Sequence, residues 1–241
     1  MSLLNDVTIV LLICHVLGDF QFQPQEMSDL KTKFLPVFLP VLRKHLVIQA
    51  LILTVVPMLF FGWNSFFRIW ALLFCVLLGH CSLDLLKFNL KRYDKLTEEI
   101  LYITDQVLHI TFIIFFSEFI FKNNPTPPFI PLEIIRGILL FLVIMKPANI
   151  TFKMIFQKYH FKTDAETIPG AGAIIGNLER ILSAIFLGMN QITAIGFIYT
   201  AKSIARFKEI EESKGFAEYY LIGTLFSILY VVVAYLIIIV V

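Results

Sequence analysis

The sequence predicts an all-α fold: a polytopic transmembrane bundle of about eight helices, with both termini on the outer side of the membrane. Three observations predict it. Of 241 residues, 58% are hydrophobic, 25 are Phe, and the mean hydropathy is +0.82. Only 16% are charged, against roughly a quarter in a soluble domain. Apolar runs near the ~20 residues that cross a bilayer fall at 3–22, 36–61, 66–88, 98–121, 132–152, 170–188, 190–206 and 217–241. No long hydrophilic domain interrupts them, so chemistry, if present, takes place at or in the lipid bilayer.

The first run lacks the basic flank of a signal peptide and contains His15 and Asp19, so it reads as a retained helix that Pro24 ends. The second carries His45 and Gln49 directly after Arg43-Lys44, and the third carries His80 and Asp84. Thr97-Glu98-Glu99 supplies an N-cap and an acidic first turn for the fourth, which holds Asp105 and His109. Asn123–Pro131 contains four of the ten prolines and reads as a loop. It separates a four-helix half, 1–122, from a second four-helix half, 132–241, within one integrated membrane domain. In the sixth run, Gly170-x-Gly172-x3-Gly176 has the wrong spacing for a nucleotide-binding glycine motif and follows no strand. It reads as a close helix contact. Lys208–Lys214 reads as a solvated turn before the eighth helix, and His160, in the fifth connection, is assigned no role.

Lys and Arg set the orientation. Fifteen of the twenty lie in or beside the odd-numbered connections: Lys31, Lys33, Arg43, Lys44, Lys87, Lys91, Arg92, Lys95, Lys153, Lys158, Lys162, Lys202, Arg206, Lys208 and Lys214. The even-numbered ones hold Arg68, Lys122 and Arg136. The positive-inside rule then puts the odd connections in the cytoplasm. The net charge of +2 points to no particular partner, and no basic run suggests nucleic acid. Cys14, Cys75 and Cys81 all fall in apolar segments, which argues against a disulfide framework.

Four of the five histidines have an acid or an amide four residues away: His15-x3-Asp19, His45-x3-Gln49, His80-x3-Asp84 and Asp105-x3-His109. That spacing stacks each pair on one helix face. Ionisable groups are costly in a bilayer, so they face the bundle interior or a wet cavity and mark function. With 1.5 Å rise per residue, every pair falls in the cytoplasmic half of the membrane, as one shared centre requires. Separations of 65 residues (His15 to His80) and 64 (His45 to His109) hint at a duplicated two-helix hairpin. His15, His80 and His109 with Asp19, Asp84 and Asp105 form a ligand set for a divalent metal, zinc first, with Mn or Fe as alternatives. Three His and three Asp exceed the needs of one tetrahedral ion. Two ions, or one ion with a catalytic base among Asp19, Asp84 and Asp105, would use them better. His45 and Gln49, beside two basic residues, read as substrate-contacting or supporting residues. The opposing reading is that each His-Asp pair satisfies itself across helices.

A second polar cluster joins Glu179 and Arg180 to Lys202 and Arg206. It reads either as an interhelical ion pair or as a substrate-binding clamp for an anionic headgroup or phosphate.

The stretches HVLGDFQFQ (15–23), HCSLDLLK (80–87) and DQVLH (105–109), followed by GNLERIL (176–182), AKSIARFKEI (201–210) and AEYYLIGTL (217–225), resemble the bacterial membrane family known as domain of unknown function 3307. The HxxxD pattern is also similar to predicted membrane-bound metal-dependent hydrolases. These resemblances imply a multi-pass protein of the bacterial plasma (inner) membrane and strengthen the metal reading. The function expected is an integral-membrane metal-dependent hydrolase. It would act at the cytoplasmic leaflet on a lipid or lipid-linked phosphoester, with Arg180 and Lys202 neutralising the phosphate. Two alternatives stand beside it: a divalent-cation or proton carrier using the same His and Asp residues, and a non-catalytic membrane partner stapled by a structural metal.

Overall fold

The structure is a computed structural model. It describes residues 5–31, 33–91, 96–121, 128–159 and 170–240, apart from the side chains of 63–69, 120, 121 and 157. His160 and most of the Asn123–Pro131 loop lie outside the described residues. The described residues are helical throughout their regular structure, with no strand. They divide into two compact units, Met1–Leu139 and Leu140–Val241. The boundary falls inside a helix.

In the first unit, α1 (Asp6–Val16) starts at Asn5, whose side chain accepts the Thr8 N–H, and continues as a π-helical turn over Leu17–Gln21. The short α2 (Gln25–Leu30) follows, beginning immediately after Pro24. The long α3 (Leu35–Leu90) breaks at Gly62, where φ is 73° and ψ is 174°, a backbone conformation that side chains disfavour. Two limbs of spanning length result, Leu35–Gly62 and Trp70–Leu90. A Cβ on Gly62 would lie 2.1 Å from the Phe129 ring, and the Phe129 N–H donates to the Phe60 carbonyl at 2.8 Å. The turn therefore has room only for glycine. α4 (Glu98–Phe121) completes the unit.

α1, the limbs of α3, and α4 pack against one another. Two small residues permit this. A Cβ on Gly18 would meet the Gln49 amide at 2.2 Å, and one on Gly79 the Phe112 ring at 2.1 Å. Phe38 stacks on Phe88 at 4.2 Å, joining the two limbs beside Leu42. The unit sets its buried polar groups within an apolar core and presents an apolar exterior. On the first limb of α3, His45 and Gln49 are buried, while Val47, Leu51, Val55 and Leu59, spaced by four, are exposed. An exposed apolar stripe backed by buried ionisable groups is the pattern expected of a helix facing lipid.

α5 (Leu132–Ile144), in which the boundary falls, passes into α6 (Lys146–Phe156) of the second unit through a break at Met145 just before Pro147. After α7 (Ala171–Gly188) come α8 (Ile192–Ala205), the short α9 (Phe207–Glu212) and α10 (Lys214–Tyr235). α10 packs against α6, α7 and α9.

Six helical spans among the described residues are long and apolar enough to cross a membrane: Leu35–Gly62, Trp70–Leu90, Glu98–Phe119, Leu132–Phe156, Ala171–Gly188 and Lys214–Val240. This is a membrane protein by helix length and composition. The first and seventh expected spans are helical but short. α1 with its π turn runs Asp6–Gln21, about 24 Å at 1.5 Å per residue. α8 has 14 residues, about 21 Å, against a hydrocarbon core of ~30 Å.

Candidate metal centre

All four of the spaced pairs converge in the first unit. The π turn sets Asp19 against the first limb of α3, where Gln49 Nε2 donates to Asp19 Oδ1 at 2.7 Å. Wide turns of this kind are frequent at functional sites because they re-aim a side chain without ending the helix. His45 Nε2 and His80 Nε2, from the two limbs of α3, lie 2.8 Å apart. They stand 3.3 and 3.4 Å from Asp19 Oδ1. Asp84 Oδ2 faces both rings from 3.7 Å and accepts a hydrogen bond from Lys31 Nζ at 2.8 Å.

These separations have a chemical meaning. Ligands at about 2.0–2.1 Å from a tetrahedral ion stand roughly 3.3 Å from one another. Asp19 Oδ1, His45 Nε2 and His80 Nε2 outline one such face, drawn in on the His–His edge, where the two nitrogens stand within hydrogen-bond distance. Asp84 stands slightly beyond a fourth corner and is already engaged by Lys31.

His15 and His109 form the adjoining wall. Their rings stack at 5.2 Å, and His109 lies 4.4 Å from the His80 ring. His15 Nε2 meets Gln106 Oε1 at 3.2 Å, and His109 Nδ1 meets the Asp105 carbonyl at 2.9 Å. Among the described residues the other ring nitrogens, His15 Nδ1 and His109 Nε2, have no hydrogen-bond partner, and neither does Asp105 Oδ1. Asp105 Oδ2 accepts from Lys87 Nζ at 2.8 Å and from Gln106 at 3.1 Å. Three sets of ligand atoms are close enough to hold an ion: His15–Asp19–His80, His45–His80–Asp84 and Asp84–Asp105–His109. A small cavity of about 10 Å³, lined by His15, His80, His109 and Gln49 with Leu11 and Phe112, adjoins the rings. That is room for one water.

The charges do not balance. Asp19, Asp84 and Asp105 bring three negative charges, and Lys31 and Lys87 return two. Were all four imidazoles neutral, the buried cluster would be left at −1, and among the described residues Asp19 is the carboxylate that no lysine reaches, its neighbours being His15, His45 and His80. An uncompensated buried charge is costly. A cation beside Asp19 removes that cost, and the histidine nitrogens already face the place where it would sit.

His45, read from sequence as a substrate or supporting residue, is completely buried at the centre of this geometry. Lys31, Lys87, Gln106 and Gly18 belong to the site although sequence reasoning gave them no part in it. Lys87 carried a faint signal, lying one helix turn after Asp84. Lys31 carried none, since it reaches Asp84 across 53 positions.

The basic residues of the second unit have different partners. Arg180 is buried and donates to the Ile144 and Asn149 oxygens, to Asn177 Oδ1 at 2.9 Å and to Ser227 Oγ at 3.3 Å. The break before Pro147 frees carbonyls one turn back, and Arg180 caps one of them. Among the described residues no carboxylate stands within salt-bridge distance of it. Lys202 pairs with Glu179 at 2.9 Å, and Arg206 pairs with Glu209 at 2.9 Å on the exposed surface. The three heads thus take separate partners, the ion-pair alternative being realised at Glu179–Lys202.

No curated protein and no solved structure matches the chain. A family model described as "Protein of unknown function (DUF3307)" matches residues 7–131. The match contains every one of the eight paired residues and ends before the later stretches at 176–225. Because it covers more than half of the sequence, the chain belongs to this family of proteins of unknown function.

Proposed function

We propose that the chain is an integral-membrane metal-dependent hydrolase whose ion is held by Asp19 Oδ1, His45 Nε2 and His80 Nε2. The observation that carries this reading is the triangle those atoms form, 2.8, 3.3 and 3.4 Å on its edges, around a carboxylate that no lysine among the described residues reaches. Nitrogen and oxygen donors of this kind suit zinc, with Mn or Fe as alternatives. Such an ion supplies Lewis acidity and an acidified water when bound. Two imidazoles and one carboxylate with a position left over is a catalytic rather than a structural donor set.

The remaining residues divide the work. Asp84 Oδ2, facing the same atoms from 3.7 Å, accepts a proton there, and Lys31 fixes that carboxylate. Gln49 orients Asp19. Lys87 and Gln106 hold Asp105, and His15 and His109 wall the site. One divalent ion brings the cluster from −1 to +1, which favours one ion over two and suits an anionic substrate. The excess of Lys and Arg in the odd connections favours a site on the cytoplasmic side, both termini outward, in a bacterial plasma membrane. An anionic lipid or lipid-linked phosphoester is the substrate that such a position reaches.

The carrier alternative has less support. Thr8, Ser117 and Glu118 form a second polar layer further along the α1–α4 seam. Leu11 and Ile113, both buried, fill the space between it and the histidines.

The test pairs two variants. His80→Ala loses both bound metal and turnover of phosphoester lipids in vesicles. Asp84→Asn retains the metal and loses turnover. Full turnover by Asp84→Asn, or by metal-free protein, contradicts the assignment.

A further inference from the structure

We infer that the crevice between the second limb of α3 and α4 is the lateral entrance of the site, taking one acyl chain of an anionic phospholipid whose headgroup meets Lys87 and Lys91. The inference rests on the metal-centre reading for its chemistry, but not for its geometry. The crevice measures about 110 Å³, and its walls are Leu83, Leu86 and Leu90 from α3 with Ile100, Leu101 and Leu108 from α4.

Three observations select the occupant. First, the rim residues Leu86, Ile100 and Leu108 are 42%, 48% and 36% exposed. The crevice therefore opens on the apolar surface that faces hydrocarbon, where lipid chains rather than water are the available filling. Its space is several times the roughly 10–15 Å³ that one water needs on the same measure, so it takes a segment of one chain and not a whole lipid.

Second, the floor is polar. Lys87 and Asp105 line it and lie 2.8 Å apart. Asp105 shares an ion-sized group with Asp84 and His109, so the floor of the crevice is also a wall of the metal centre.

Third, the charges fit an anion. Lys87 and Lys91 stand one turn apart, and each side chain is 31% exposed. Both cations come from α3 and both carboxylate partners, Asp105 and Glu98, from α4. A headgroup phosphate arriving between the helices competes directly for the lysines. The lysines lie at the end of α3 that the positive-inside pattern assigns to the cytoplasmic interface, where headgroups reside.

The full-length protein is reconstituted in nanodiscs containing equal phosphatidylglycerol and phosphatidylcholine, then analysed by native mass spectrometry, with bound metal measured on the same samples. The expected result is one retained phosphatidylglycerol per chain. Leu86→Trp, which fills the mouth of the crevice, abolishes retention and leaves the metal in place. Lys91→Gln lowers the preference for the anionic lipid about fivefold, the contribution of one basic residue at an anionic surface. Leu51→Trp, on the outward face of α3, changes neither. Equal retention of the two lipids, or retention untouched by Leu86→Trp, means annular lipid only and overturns the inference. A protein that holds the lipid without any metal keeps the crevice and overturns the metal-centre reading instead.

Discussion

Gln49 occupies the space that a methyl group on residue 18 would need. Its amide donates to Asp19 Oδ1 at 2.7 Å, and a Cβ built on Gly18 would lie 2.2 Å from the same nitrogen. Gly18→Ala therefore pushes Gln49 off the carboxylate it orients. The expected loss is about 10–100-fold in metal affinity, the usual effect of removing a group that positions a ligand, read by competition with a chelating dye. Gly137→Ala, where the structure leaves open space, is the matched control and should be silent. At this scale the sequence was informative in part. The four-residue spacing of the His, Asp and Gln pairs was visible, and all four pairs meet. The spacing could not distinguish which histidines face Asp19, because that depends on where two limbs of one helix cross. His45 follows Arg43-Lys44 and looked interfacial, yet it is buried at the centre.

Single residues also shape the elements. The Gly62 break folds one 56-residue helix into two antiparallel limbs and so brings His45 to His80. Placing a side chain at φ 73°, ψ 174° costs about 1–3 kcal/mol, and a Cβ there also collides with the Phe129 ring. Gly62→Ala should lower the thermal midpoint of the detergent-solubilised protein and leave metal stoichiometry unchanged at saturating metal. An unchanged midpoint would show that the turn has another conformation available. Helix positions were legible from hydropathy because each apolar run is bounded by polar or proline-rich sequence. Two features were not. The π turn at Leu17–Gln21 adds one residue per turn without altering composition, so no periodicity announces it. The short α1 and α8 pass for spans when apolar residues are counted, because composition reports how apolar a run is and not how many residues its helix holds.

For the molecule as a whole, the polar chemistry divides between two units. The first holds the carboxylates and imidazoles. The second holds a buried Arg180 solvated by amide, carbonyl and hydroxyl oxygens. Hydrogen bonds to a buried cation contribute about 1.5–3 kcal/mol each. Arg180→Ala should therefore destabilise the protein by at least about 3 kcal/mol while bound metal stays at its wild-type level in the fraction that remains folded. A variant of normal stability with impaired phosphate binding would restore the anion clamp that the sequence suggested. That expectation rested on three basic residues clustered in sequence. In the structure Arg180, Lys202 and Arg206 engage different partners, which no count of charges reveals. The most direct test of the metal centre is X-ray absorption at the metal edge of the purified protein. The geometry predicts one ion per chain with two imidazole nitrogens and one carboxylate oxygen at about 2.0–2.1 Å, and one imidazole fewer in His45→Ala. A protein purified without chelators that carries no stoichiometric metal, or a bound ion whose shell is unchanged in His45→Ala, would contradict it.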